Sequence, residues 1–336
     1  MKRFTCSCGS HVYFDNTYCI ACNRILGFDP LGMDMVAVED GGDGRLLGDT
    51  GREYRHCRNR IEYDVCNWFT DGEPGFCKGC GMNEVIPDLG VAGNKLLWYR
   101  LERAKRRLLY SLLCLQLPIK ANDVRSDLRF HFLEDKRRNP NAPEDFVTTG
   151  HNNGVITINV AEADTIARNR MRQQMQERYR TLLGHFRHET GHYYLDYLVS
   201  GADAEFAQLF GEPTTDYAAA MRRHYRNGPP PHWERTYISA YASSHPWEDW
   251  AEIFAHFLHI TDTLDTMSWA MPRESTGDWL QDWLEQSVGL NEICLSLGVN
   301  KAYPFVLNET TIQKLRFIER RMRDVSQPHA RASAAR

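Results

Sequence analysis

His188-Glu189-Thr190-Gly191-His192 is the stretch on which the reading of this chain turns. On a helix, residues i and i+4 lie one turn apart on the same face. Both imidazoles can then hold one Zn²⁺, with Glu189 beside them in reach of a water on the metal. The flanks agree with a helix. Over residues 179–199, Leu182, Leu183, Phe186, Leu195, Leu198 and Val199 recur at helical spacing and no proline interrupts. The pattern predicts the active-site helix of a zinc peptidase. Two histidines on an apolar helix can also be plain packing, so the other half of the site has to carry weight. Gly191 costs about 1 kcal/mol relative to alanine inside a helix. It implies close approach of another backbone or of a substrate, and the sequence leaves that choice open.

A catalytic zinc takes three protein ligands and leaves one position open. The third should come from another element. The segment Ser244-His245-Pro246-Trp247-Glu248-Asp249-Trp250-Ala251-Glu252-Ile253-Phe254-Ala255-His256-Phe257-Leu258-His259 offers candidates. Pro246 at a first helical position is a start signal, and the apolar spacing behind it is helical. Glu248 and Glu252 share a face one turn apart. One carboxylate can bind zinc while the other accepts from an imidazole of His188 or His192. Acids in a first turn also complement the helix dipole, which accounts for Glu248 and Asp249. It accounts less well for Glu252, flanked by large apolar residues where a carboxylate needs a partner. The reading favours Glu248 as ligand and Glu252 as the imidazole's partner, with the reverse as competitor. Asp196, one turn after His192, is a second candidate to orient an imidazole. His185 and His256, one turn from His188 and Glu252, read as packing or orienting groups, with a substrate contact or an alternative metal ligand as the competing readings.

Eight of the ten cysteines fall in the first eighty residues. Cys6, Cys8, Cys19 and Cys22 form one set; Cys57, Cys66, Cys77 and Cys80 form another. Thiolates on short turns at such spacings suit closed tetrahedral zinc sites. An exported disulfide framework fits less well, because the spacings are metal-like. A redox role for Cys77 and Cys80 lacks a following helix or βαβ unit. Each loop looks too poor in apolar residues for a core of its own, so metal would supply folding free energy, on the order of 10 kcal/mol per site. Asp40-Gly41-Gly42-Asp43-Gly44 reads as the loop joining the two sets. Cys114 and Cys294, in apolar contexts, read as core residues. The expected cofactors are therefore one catalytic and two structural Zn²⁺ ions.

With 336 residues, the chain is long enough for one sizeable domain and a smaller one. A net charge of −4 recommends neither nucleic acid nor membrane as partner. The start has two basic residues, then cysteines and glycine in place of an apolar run, and no stretch is long enough to span a bilayer. The expectation is a cytoplasmic protein. One local hint of nucleic-acid binding is a basic edge of Arg52, Arg55, His56, Arg58 and Arg60 near Tyr54, Tyr63 and Trp68.

Beyond Pro87, residues 95–117 read as a helix ended by Pro118. Its apolar face is Leu96, Leu97, Leu101, Leu108, Leu109 and Leu112; its outer face carries Arg100, Arg103, Lys105, Arg106 and Arg107. Residues 128–133 alternate like a strand and 154–160 are rich in β-branched residues, with a polar loop between. Residues 161–180 read as polar helix, 202–259 as helix broken at Gly211-Glu212-Pro213 and at Gly228-Pro229-Pro230-Pro231, and 310–325 as a basic helix.

HETGH followed by Glu248-Asp249-Trp250-Ala251-Glu252 resembles the gluzincin metallopeptidases, whose second motif is Glu-x-x-Ala-Glu or Glu-x-x-Ala-Asp. That likeness implies Glu248 as ligand. It also implies a role for Tyr241, seven residues earlier, similar to the tyrosine that lethal-factor-type gluzincins point at the substrate oxyanion. More broadly the chain is similar to an uncharacterised bacterial family of zinc-binding metallopeptidases with an N-terminal zinc ribbon. The cysteine-rich start, Gly154-Val155-Ile156-Thr157-Ile158-Asn159, Gly184-His185-Phe186-Arg187-His188-Glu189 and Ala242-Ser243-Ser244-His245-Pro246-Trp247-Glu248 carry that likeness. It suggests that the strand at 154–160 borders the cleft, where a substrate peptide could add to it.

The expected fold is α+β. A Cys₄ zinc-ribbon region covers residues 1–90, with its sets in 1–28 and 52–90. A mainly helical zincin-like domain of gluzincin type with a small edge sheet covers 91–325, and a disordered tail covers 326–336. The expected activity is that of a zinc endopeptidase using Zn-activated water, with Glu189 as general base and a peptide or protein as substrate. The alternative is a non-proteolytic protein whose ribbons bind nucleic acid or a protein partner.

Overall fold

The computed structural model describes residues 1–119, 127–168, 181–199 and 203–326. The chain divides into two compact units, residues 1–114 with 118–175 and residues 115–117 with 176–336. The architecture mixes sheet and helix, with the cysteine-rich region at the start.

In the first unit, β1 (Phe4–Thr5) and β2 (His11–Val12) form a short antiparallel pair. A five-stranded sheet follows, in the order β3 (Ile25–Asp29), β4 (Asp34–Gly42), β5 (Arg45–Gly48), β6 (Glu53–His56) and β7 (Phe69–Thr70). α1 (Arg58–Tyr63) lies between the last two strands. The Asp40–Gly44 cluster is therefore not a joining loop. β4 runs through Gly42, and Asp43 and Gly44 turn the chain with φ of 52° and 71°. Positive φ at two successive residues is what a tight hairpin turn requires.

The cysteine-rich region also has a core, contrary to the expectation from its loops. Val38, Leu46, Tyr54 and Phe69 are buried together. Phe14 and Phe28 meet at 4.9 Å, Phe28 and Trp68 at 4.9 Å, and Phe14 and Tyr110 at 5.4 Å between ring centroids. Tyr110 belongs to α2 (Asn94–Cys114), which packs along this aromatic cluster.

α2 buries Leu97, Leu101, Leu108, Leu109 and Leu112 as its spacing predicts, but Leu96 is exposed. Lys105 and Arg106, expected on the outer face, are buried with Glu102. Lys105 pairs with Glu102 at 3.0 Å and Arg106 donates to the Val65 carbonyl at 2.7 Å. Cys114 is exposed and Cys294 half-buried, so neither is a core residue.

The third sheet has the order β10 (Gly150–Asn152), β11 (Val155–Asn159), β9 (Arg129–Leu133) and β8 (Asn83–Val85). β11 pairs with β9 along its whole length and with β10 at Val155, Ile156 and Thr157. Both of its edges are taken, so a substrate strand could not add to it without displacing β10.

The second unit is helical: α3 (Leu182–Leu198), α4 (Ala204–Phe210), α5 (Tyr217–Asn227), α6 (Pro246–Ala270), α7 (Trp279–Ser296) and α8 (Glu309–Ser326). Side-chain caps start five of them: Thr181, Asp203, Asp216, His245 and Asp278 each accept from a backbone N–H in the first turn. Phe186, Tyr194, Phe206, Phe210, Trp250, Phe254 and Phe317 form the core. A buried ion pair joins Lys314 of α8 to Asp249 of α6 at 2.5 Å. No described helix is long and apolar enough to cross a membrane. Most of the helix expected over 161–180, and the tail from 327, lie outside the described residues.

Candidate metal centres

α3 and α6 approach unusually closely. A Cβ on Gly191 would stand 2.8 Å from the Cα of Ala251 and 3.2 Å from the Cβ of Phe254. The approach that the glycine implies is thus to another backbone. Trp250 Nε1 donates to the Gly191 carbonyl at 2.8 Å, and Tyr194 stacks on Phe254 at 5.5 Å. These contacts set the face carrying His188 and His192 against the face carrying Glu248 and Glu252.

The donor atoms of His188, His192 and Glu248 converge. His188 Nε2 is 3.0 Å and His192 Nε2 3.4 Å from Glu248 Oε2, and the two nitrogens are 3.2 Å apart. A tetrahedral ion with bonds of about 2.0–2.1 Å needs donors about 3.3–3.4 Å apart. The triangle therefore fits Zn²⁺ with little adjustment. Two facing nitrogens and a carboxylate oxygen are also the donor types that zinc takes.

His188 is fixed from its far side. Its Nδ1 is 2.8 Å from Glu252 Oε1, and Ser239 Oγ donates to Glu252 Oε2 at 2.7 Å while accepting from the Ala242 N–H at 3.0 Å. With a metal bound, a hydrogen on Nδ1 shared with Glu252 would leave the Nε2 lone pair free to face the ion. Burial opposes charge on Glu248, but hydrogen bonds from His188 and His192 hold its carboxyl well below the usual range. Burial likewise opposes charge on Glu252, and its bond to His188 brings it to about 2.

Glu189 is buried beside this group, at 8% exposure. Its charge acts on Tyr217 and Tyr241. The Tyr241 ring lies 5.9 Å from that of His188. Burial first, then the Glu248 charge, raises the Tyr241 phenol far above its ordinary value, so it stays protonated. Tyr217 was not singled out by the sequence, yet its hydroxyl donates to Glu248 Oε1 at 2.7 Å. Ser239 was equally unmarked. Neither belongs to a local spacing; both reach the site through tertiary contact.

Asp196 is exposed. His256 is buried against Tyr303 and Phe305, with Nδ1 2.8 Å from Tyr303 Oη, and burial lowers its pKa to about 4. It packs, and does not join the donor cluster. His185 is half-buried one turn ahead of His188.

The cysteines form two further groups, Cys6, Cys8, Cys19 with Cys22 and Cys57, Cys66, Cys77 with Cys80. Sulfurs lie 3.7 Å apart for Cys6 and Cys22, 3.7 Å for Cys8 and Cys19, and 3.6 Å for Cys66 and Cys77. A disulfide would need about 2.05 Å. The edge of a tetrahedron with Zn–S bonds of about 2.3 Å is about 3.8 Å, which these distances match. The second group is buried throughout; in the first, Cys8 is exposed and Cys22 half-buried.

The basic edge near the second group is largely neutralised. Arg52 pairs with Asp29 and Asp71, Arg58 with Glu62 and Arg60 with Asp64, while Arg55 donates to the carbonyls of Gly72 and Asp43. Tyr54 and Trp68 are buried. Among the described residues this edge does not form an open row of guanidiniums interleaved with exposed rings.

A zinc-ribbon domain profile matches residues 3–91. Uncharacterized proteins of Mycobacterium bovis and Mycobacterium tuberculosis are 39% identical over 340 residues, covering 95% of this chain and 94% of theirs. No solved structure matches the chain. The profile of a peptidase family matches residues 94–321, the region that contains HETGH and Glu248. The chain therefore belongs to the family described as "Putative zinc-binding metallo-peptidase" and carries a zinc-ribbon domain at its start.

Proposed function

We propose that the protein is a zinc-dependent peptidase of gluzincin type, in which His188, His192 and Glu248 hold the catalytic ion and Glu189 is the general base. What supports this most is the donor triangle at tetrahedral spacing next to a buried carboxylate. When bound, Zn²⁺ supplies a Lewis acid for the scissile carbonyl and lowers the pKa of water towards about 7.

Each side chain then has a defined task. Glu189 takes a proton from the attacking water and returns it to the leaving amine. Tyr241, kept protonated by burial, donates to the oxyanion, where a fixed donor acts in a site of low dielectric. Glu252, held by Ser239, keeps the His188 hydrogen on Nδ1 and its lone pair inward. The two Cys₄ groups hold structural zinc, and the reducing cytoplasm is the compartment where such thiolates persist.

The experiment is incubation of the wild type and of Glu189→Gln with proteome-derived peptides, read by mass spectrometry at equal zinc content. New termini with the wild type alone are expected. Equal cleavage by both would remove Glu189 as base. No cleavage by fully zinc-loaded wild type would favour the non-proteolytic alternative.

A further inference from the structure

The two oxygens of Glu248 face different partners. Oε2 lies 3.0 and 3.4 Å from the Nε2 atoms of His188 and His192, and Oε1 accepts the Tyr217 hydroxyl hydrogen at 2.7 Å. A carboxylate can bind zinc through one oxygen or both. The second mode fills a position that water or substrate would otherwise take.

Tyr217 is itself held in place. It opens α5, with Asp216 as its cap. His245 Nδ1 accepts from the Trp247 N–H at 3.1 Å, so the ring hydrogen sits on Nε2, which donates to the Thr215 carbonyl at 3.0 Å. One histidine thereby caps α6, which carries Glu248, and ties down the turn that presents Tyr217. The phenol ring also stacks on Trp247 at 5.7 Å and meets His245 edge-on at 5.1 Å.

We infer that Tyr217 is a positioning residue that holds Glu248 as a one-oxygen metal ligand, engaging Oε1 so that the coordination position beside it stays open. The inference rests on Glu248 being a ligand. It concerns a residue 31 positions upstream of Glu248 and outside both motifs.

The test uses the full chain as wild type, Tyr217→Phe and Glu248→Ala. Zinc affinity is measured by chelator competition. Co²⁺ is then placed in the open site, with the cysteine sites kept zinc-loaded as judged by the absence of thiolate charge-transfer absorption. Tyr217→Phe keeps the ring, so with the open site metal-free its thermal melting should stay close to that of the wild type. Its zinc affinity should fall about 10–100-fold, and its Co²⁺ visible bands should weaken as the ion gains a fifth donor. Wild-type affinity and spectrum in Tyr217→Phe would overturn the inference while leaving Glu248 as ligand. Undiminished metal binding in Glu248→Ala would overturn the ligand assignment, and the inference with it.

Discussion

Gly191 faces Ala251 so closely that its missing Cβ would stand 2.8 Å from the Ala251 Cα, nearer than real Cβ contacts come. Helix propensity alone says that Gly191→Ala should stabilise by about 1 kcal/mol. The contact reverses the sign. Overpacking of this kind costs about 1–3 kcal/mol, and the neighbour here is backbone, which cannot swing aside. Gly191→Ala should lower the melting temperature and weaken zinc at the His188 site without touching the cysteine zinc. Thermal denaturation and elemental analysis check both parts; a more stable variant with full zinc would contradict the packing argument.

Glu248 and Glu252 should separate on substitution. Glu248→Ala removes a donor atom, so one zinc per chain should be lost. Glu252→Gln keeps an acceptor for His188 but loses its charge, so affinity should fall about tenfold while the ion remains. Ser239→Ala should act in the same direction and less strongly, through Glu252. Chelator competition ranks the three, and the opposite order for the two glutamates would exchange their roles.

Arg106 should matter to the second cysteine group. Its guanidinium is buried, with the charges of Cys66, Glu102, Cys80 and Cys77 acting on it and its hydrogen bond to Val65 bracing the loop. A zinc with four thiolates carries a net charge of −2, and a buried anion needs a cation near it. Arg106→Met should cost about 3 kcal/mol or more, measured by denaturant titration, and should speed zinc loss from this group. An unchanged transition midpoint would show that the charge is not needed.

The two cysteine groups should release metal at different rates. Cys8 is exposed and Cys22 half-buried, whereas Cys57, Cys66, Cys77 and Cys80 are all buried. A thiol reagent with a chromogenic zinc indicator should show a fast phase from the first group and a slow one from the second. Cys8→Ser should abolish the fast phase. A single phase would contradict the difference in access.

The helix pair of the site is legible in sequence because its spacings are local: i and i+4 on each helix, a proline start, and apolar residues at helical period. Hairpin turns were written just as locally. Asp43-Gly44 and Asn153-Gly154 both take positive φ, and such pairs signal tight hairpins, but glycine-rich surroundings make them resemble loops. Other features have no local trace. Lys105 and Arg106 fall where an amphipathic pattern points outward; Lys105 is buried against Glu102 and Asn83, and Arg106 against the Val65 carbonyl, Glu102 and the second cysteine group. Tyr217 and Ser239 reach the carboxylates through tertiary folding alone.

The account stands on one ion shared by two imidazoles and a carboxylate. Anomalous diffraction at the zinc edge from the purified, zinc-replete protein tests this directly. Three peaks are expected per chain: one in each cysteine group and one within about 2.0–2.2 Å of His188 Nε2, His192 Nε2 and Glu248 Oε2. Peaks at the cysteines alone, with these three side chains turned apart, would contradict it.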